Sequence, residues 1–162
     1  MKTNQEGINV IKHFESLHDG DLKQLGLQPK MCPAGIWTEG YGHAIRDLRG
    51  QFFKGNENKL KAYANSIVKN EKQAEQLLTK DLESFELIVM RKLKRELEQN
   101  EFDALVSFVF NCGVSQTLFE MVNSQNPLLK SWWETHYITG NGQILNGLVK
   151  RRKLEAKLYF TK

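Results

Sequence analysis

The residues of this chain whose types suit chemistry fall in three places. The stretch MCPAGIWTEGYGHAI carries Cys32 and His43 among three glycines and two aromatics. A thiol beside an imidazole can act as nucleophile and base, but nothing marks a third group that would orient the histidine, or an oxyanion hole. A metal centre needs more ligands. His13, His18 and Asp19 lie nearby, yet no spacing puts two of them on one helical face with Cys32, so no metal is expected. Asp81, three residues after Leu78 and four before Phe85, falls on the apolar face of its helix. A carboxylate buried there needs a basic partner. His43 is the candidate, in a structural pair. Glu15 follows Phe14 at the C-terminal end of the first helix, where the negative end of the helix dipole and partial burial disfavour the ionised form. A carboxyl that keeps its proton near neutral pH is what a general acid requires. The residues alone leave open the alternative of an exposed helix-end glutamate.

Several elements must position these groups. Thr3 and Glu6 form a capping-box pattern, and Ile8, Ile11, Phe14 and Leu17 follow at helical spacing, so a first helix is expected to end near Ser16. HDGDLKQLGLQPK reads as loop, and IWTEGYGH as a short hairpin or small sheet. Residues 46–59 read as irregular. From Asn70, with Asn70 and Gln73 as caps, a long charged helix puts Ala74, Leu77, Leu78, Phe85 and Ile88 on one face. Phe102, Leu105, Val106, Val109 and Phe110 mark another helix that stops at Gly113. Asn126 and Pro127 open a fourth, and Asn146 caps a last, basic one. Of the neighbours Trp132 and Trp133, one is expected in the core and one near the surface. The class is α+β with helix dominant: a single domain with a small β-containing lobe over about residues 15–65, and a helical lobe formed by about 70–162 with the N-terminal helix.

Composition bounds the function. The chain has 162 residues and a net charge of +4, which permits an anionic polymer as partner but does not demand one. Cys32 and Cys112 are too few for a disulfide framework, and reduced thiols suit synthesis in the cytoplasm. MKTNQEGINVIKHFES lacks the continuous apolar run of a signal peptide, and no stretch is apolar enough for a membrane span. Basic and aromatic residues are not interleaved as in a nucleic-acid-binding module. The basic last helix reads equally as a solvated face over the core or as an attractor of anionic wall polymers.

The segments FES, CPAGIWTEGYGH, EKQAEQLLTKDL, NEFDALVSFVFNCG and GLVKRRKLEAKLYF stand in the order found in phage lysozymes. From about Asn9 to Phe160 the chain resembles these family 24 glycoside hydrolases, the endolysins or muramidases. The resemblance implies a lysozyme-like fold, a long helix joining two lobes, and a sugar chain in the cleft between them. It implies hydrolysis of the β-1,4 bond between N-acetylmuramic acid and N-acetylglucosamine in bacterial peptidoglycan, without cofactor or metal. Glu15 matches the glutamate that protonates the glycosidic oxygen. Cys32 stands where the family has an aspartate or cysteine, and Thr38, six positions on, matches the threonine that holds the attacking water. Gly40, Gly42 and His43 match the hairpin, Asp81 an aspartate that some members pair with that histidine, and Phe110 and Asn111 the cleft lining. Arg151, or Arg152 in its place, lies in the family's basic segment. A monomer is expected, held in the host cytoplasm until a phage holin opens the membrane.

Two departures stand out. SLHDGDLKQLGLQPKM, between Glu15 and Cys32, is longer than the family usually places there, and it brings Asp19 and Asp21 near the site. Glu39 replaces the apolar residue that commonly follows the threonine. Three routes to water activation stay open: Cys32 as thiolate with Thr38, Asp19 or Asp21 as the missing carboxylate, or no base at all. In the last case the substrate's own hydroxyl attacks, as in a lytic transglycosylase. The alternative of another class is a catalytically silent wall-binding protein.

Overall fold

The computed structural model describes residues 1–161, and two compact units emerge from it. One comprises Glu15–Asp81, the other Met1–Phe14 with the chain from Leu82 onward. Three helices flank or enter the first of these: α1 (Gln5–Glu15) ends in it, α2 (Lys59–Asn65) lies within it, and α3 (Glu71–Lys92) starts in it.

The Glu15–Asp81 unit is organised by a small antiparallel sheet of β1 (Lys30–Met31), β2 (Trp37–Glu39) and β3 (His43–Ala44), with β2 in the centre. Lys30 pairs with Thr38, Thr38 with Ala44 and Glu39 with His43. Trp37, Ile45, Phe53 and Ala62 form its apolar centre, against which Met31 and Tyr63 pack. The β2–β3 turn needs its glycines. Gly40 and Gly42 have φ of 58° and 93°, left-handed values that a Cβ disfavours, and a Cβ on Gly40 would stand 3.3 Å from that of Ala74. The long segment after α1 is tied down by its backbone: His18 N–H donates to Gly40 O, Gly20 N–H to Gln28 O, and Leu27 N–H to Lys69 O.

Glu39, the unusual residue on β2, has a structural explanation. Its side chain is buried, and Oε2 accepts from Ser66 Oγ at 2.7 Å and from the backbone N–H groups of Ile67 and Val68, both at 3.0 Å. The carboxylate thus closes the link from α2 to α3. An apolar residue here would strand three donors, of which the Val68 N–H is buried and carries the full cost of about 1–3 kcal/mol, with smaller costs at the partly exposed Ser66 and Ile67. Glu39→Leu is therefore expected to lower unfolding free energy by about 3 kcal/mol, read from the midpoint of urea denaturation.

In the other unit, α4 (Gln99–Cys112) is buried on every side from Phe102 to Val109, which is why its apolar positions exceed a single amphipathic face. It stops at Gly113, φ 74°, whose N–H bonds to Val109 O. After it come α5 (Gln116–Asn123), α6 (Leu129–Thr135), a hairpin of β4 (Thr139–Gly140) and β5 (Gln143–Ile144), and α7 (Asn146–Tyr159). Trp133 is fully buried against Phe108 and Tyr159, and Trp132 is half-buried, stacked on His136.

Several boundaries differ from the sequence expectation. Asn4, not Thr3, caps α1: its Oδ1 accepts from Glu6 and Gly7 N–H, while Thr3 is buried with its N–H on Glu86. Helix α3 stops at Lys92, and its buried stripe is Ala74, Leu78, Leu82 and Val89, with Glu86 between them. Asn126 Oδ1 caps a turn at Leu128, so α6 starts later than Pro127. Asn146 is the first residue of α7 and not its cap. Most of all, α7 is not a solvated basic face throughout, because Arg151 and Arg152 are both buried with Glu155.

Candidate active site

Glu15 is the last residue of α1 and is half-buried. Ser16, at φ 52°, takes the chain out of the helix at once. Three residues past Glu15 the ring of His18 meets β2. Thr38 is 5% exposed, and its Oγ1 lies 2.8 Å from Lys30 O and 2.8 Å from His18 Nδ1. Burial pushes the His18 imidazole below its ordinary pKa, the Lys30 charge adds to the drop, and the Glu15 charge opposes it. The ring therefore feels the Glu15 carboxylate and touches the Thr38 hydroxyl. The sequence alone suggests His18 only as a metal ligand. The available signal was its position just beyond the helix end, three residues from Glu15.

Cys32 is a half-buried free thiol whose backbone makes the turn into β2: its N–H donates to Ile36 O, and its carbonyl accepts from Gly35 N–H. Asp19 and Asp21 organise their own loop. Asp19 Oδ1 accepts from the N–H groups of Asp21 and Gln28, and Asp21 from Lys23 N–H and the Gln24 amide. The Gln24 and Lys23 bonds hold the Asp21 carboxyl below its ordinary pKa, which makes it a weaker base.

His43 Nδ1 donates to Asp81, with Oδ1 at 3.0 Å and Oδ2 at 2.8 Å. Both side chains are about one-third exposed, so Asp81 is less deeply buried than its helical face suggested. The Asp81 hydrogen bond raises the His43 pKa above its ordinary value, against the opposing effect of burial. A group whose folded pKa is raised stabilises the fold fully below its unfolded value, near 6.5, and loses that contribution as pH rises through the folded one. The stability advantage of the wild type over Asp81→Asn should thus be larger at about pH 5.5 than at about pH 8.5 in paired urea titrations. An equal gap at both pH values would exclude the charged pair.

Of the remaining expected site residues, Phe110, Asn111 and Arg151 lie in the other unit. Phe110 is half-buried, edge-on to Phe85 at 5.2 Å, and Asn111 is exposed. Asn111 Oδ1 accepts from Arg152 Nη2 at 2.7 Å. The Arg151 guanidinium lies 5.5 Å from the Phe14 ring and donates to Glu155. Gly42 is exposed, at the turn.

A family model described as phage lysozyme matches residues 21–155 of this sequence. The chain belongs to the phage lysozyme family. An endolysin of Bacillus phage B103 is 33% identical over 99% of this phage lysozyme chain and 55% of its own length. The chain thus spans about half the length of that curated relative. Among solved structures, an endolysin from Escherichia coli O157:H7 phage FAHEc1 aligns with a TM-score of 0.72 at 32% identity, covering 99% of this chain and 94% of that one. The muramidase domain of SpmX from Asticaccaulis excentricus aligns with a TM-score of 0.72 at 27% identity, over 99% of each. The α+β lysozyme fold follows from these likenesses and from the seven helices and small antiparallel sheets among the described residues.

Proposed function

We propose that this chain is a muramidase that hydrolyses the β-1,4 bond between N-acetylmuramic acid and N-acetylglucosamine, with Glu15 as general acid. The observation that carries the reading is Thr38. Its hydroxyl is sequestered on the central strand and fixed by two hydrogen bonds, in the same compact unit as Glu15 and Cys32. In an inverting glycosidase one carboxyl protonates the leaving oxygen while water attacks the opposite face of the sugar. Glu15 gives its proton to the leaving oxygen, Thr38 offers an oriented acceptor to the water, and the proton the water sheds once bonded to the anomeric carbon passes to bulk solvent, from which Glu15 is reprotonated. Cys32 lines the turn into the same strand, and the loop contacts of Asp19 and Asp21 favour a structural part for both. Family membership supports the substrate class.

Gly42, Phe110 and Asn111 are assigned to the glycan, and Arg151 to support of the acid. Among the described residues no helix is long and apolar enough to cross a membrane. On this reading the enzyme waits in the host cytoplasm as a monomer, and a holin gives it access to the wall.

The test is a digest of purified peptidoglycan, with the released glycans read by mass spectrometry beside a Glu15→Gln control. Reducing-end muramic acid that disappears in the control is the expected result. Ends in the 1,6-anhydro form would replace hydrolysis by transglycosylation. No release from any wall, at protein concentrations that saturate binding, would leave only the wall-binding alternative.

A further inference from the structure

The two contacts of Thr38 constrain each other. A hydroxyl has one proton and two lone pairs. Lys30 O can only accept, so at 2.8 Å it takes the Thr38 proton. His18 Nδ1, also at 2.8 Å, must then donate, which defines the ring as the Nδ1–H form. With its proton on Lys30 and one lone pair filled by His18, Thr38 Oγ1 keeps a single lone pair and has no proton to offer an incoming molecule. The ring is held in place by its own backbone, since His18 N–H donates to Gly40 O at 2.8 Å, at the end of the strand that carries Thr38.

We propose that His18 is a positioning residue for the hydrolytic water: by donating from Nδ1 it makes Thr38 an acceptor only, so the water must donate to Thr38 and turn its own lone pair to the anomeric carbon. This rests on the muramidase reading above and deepens it. The opposite polarity, with Thr38 donating to the water, would occupy one of the water's two lone pairs and draw electron density from the oxygen that has to attack. The work is done through Thr38, so no proton is transferred to or from His18 in the step. The charged groups that face the ring are Glu15 from α1 and Lys30 from β1; burial keeps the ring neutral at pH 7, so its tautomer, and not its charge, sets the polarity.

Two measurements test this. The first is the tautomer in the whole protein, from nitrogen-15 chemical shifts of the labelled imidazole. A proton on Nδ1 at pH 7, displaced toward Nε2 in Thr38→Val, is expected, and Nε2–H in the wild type would overturn the proposal. The second is kinetic. Asn carries an amide donor close to the position of Nδ1, Leu has no donor, and Asp can only accept. His18→Asn should keep kcat within about threefold of the wild type, while His18→Leu and His18→Asp lose about tenfold with KM nearly unchanged, the loss of one oriented hydrogen bond. Equal kcat in His18→Leu, or an Asn variant as slow as the Leu variant, would sink the role of the donor. Glu15→Gln runs alongside: activity that survives in it overturns the muramidase reading itself, whereas activity lost in it and retained in His18→Leu overturns only the positioning role.

Discussion

Glu15→Gln is expected to slow glycan release by about a thousandfold while leaving the fold intact, because general acid catalysis contributes about 10²–10⁴-fold. Glutamine matches the size and the hydrogen-bonding reach of glutamate, but its amide has no proton of suitable acidity for a glycosidic oxygen. The position argues for a clean result. Glu15 closes α1, and the left-handed Ser16 behind it turns the chain away, so the side chain stands at a helix end and not in a packed core. A half-exposed, isosteric change of that kind shifts stability by about 0.5 kcal/mol. The measurement is initial-rate turbidity clearing of a peptidoglycan suspension, with unfolding midpoints taken on the same preparations. A variant that clears at the wild-type rate would remove Glu15 from the chemistry.

The largest effect on stability is expected at Glu155. It is fully buried, with Oε1 accepting from Ser107 Oγ at 2.7 Å, Arg151 Nε at 3.1 Å and Arg152 Nη2 at 3.2 Å, and Oε2 from Trp133 Nε1 at 3.3 Å. Arg152 also donates to Cys112 Sγ and Asn111 Oδ1, and burial pushes the Cys112 thiol above its ordinary pKa. One carboxylate therefore answers two buried guanidiniums, neither of which can shed its charge. Glu155→Leu should cost about 3–5 kcal/mol, because it leaves both cations uncompensated. That is a large part of the 5–15 kcal/mol or so that holds an ordinary domain folded. Replacing Arg151, Arg152 and Glu155 together by Met, Met and Leu should recover much of the loss, since the desolvation penalty disappears with the charges. Urea titration of the single and triple variants checks both. A single variant as stable as the wild type would mean that the guanidiniums find solvent.

These two sites differ in how far they could be read in advance. The place of Glu15 at a helix end was legible because such an end is a local event, announced by the apolar spacing of Ile8 and Ile11 and by the polar loop that follows, whereas its part as an acid rests on the family resemblance. The stop of α4 at Gly113 and the start of α3 after Asn70 were legible for the same reason. Asn70 Oδ1 accepts from Gln73 N–H, a bond between residues close in sequence. Glu155 was not legible. In GLVKRRKLEAKLYF it looks like any glutamate among lysines, and only the packing of α7 on α4, which supplies Ser107, makes it the anchor of a buried cluster. Glu39 stands out in the sequence as an acid on a strand, but its reason does not, since its partners lie 27 to 29 residues away on the link into α3.

Sequence by itself determined which residue types are available for chemistry and in what order, where α1 ends, α3 starts and α4 stops, and where glycine lets the β2–β3 turn form. Each of those depends on contacts within a few residues. The tertiary structure alone decided which donor faces which acceptor: His18 on Thr38, Glu39 on the α2–α3 link, Glu155 on its two arginines. A hydrogen bond needs its atoms within about 3 Å, a tolerance finer than one residue of register along a strand or helix. Periodicity places a side chain on a face, but not opposite a particular atom across 20 or more residues of chain.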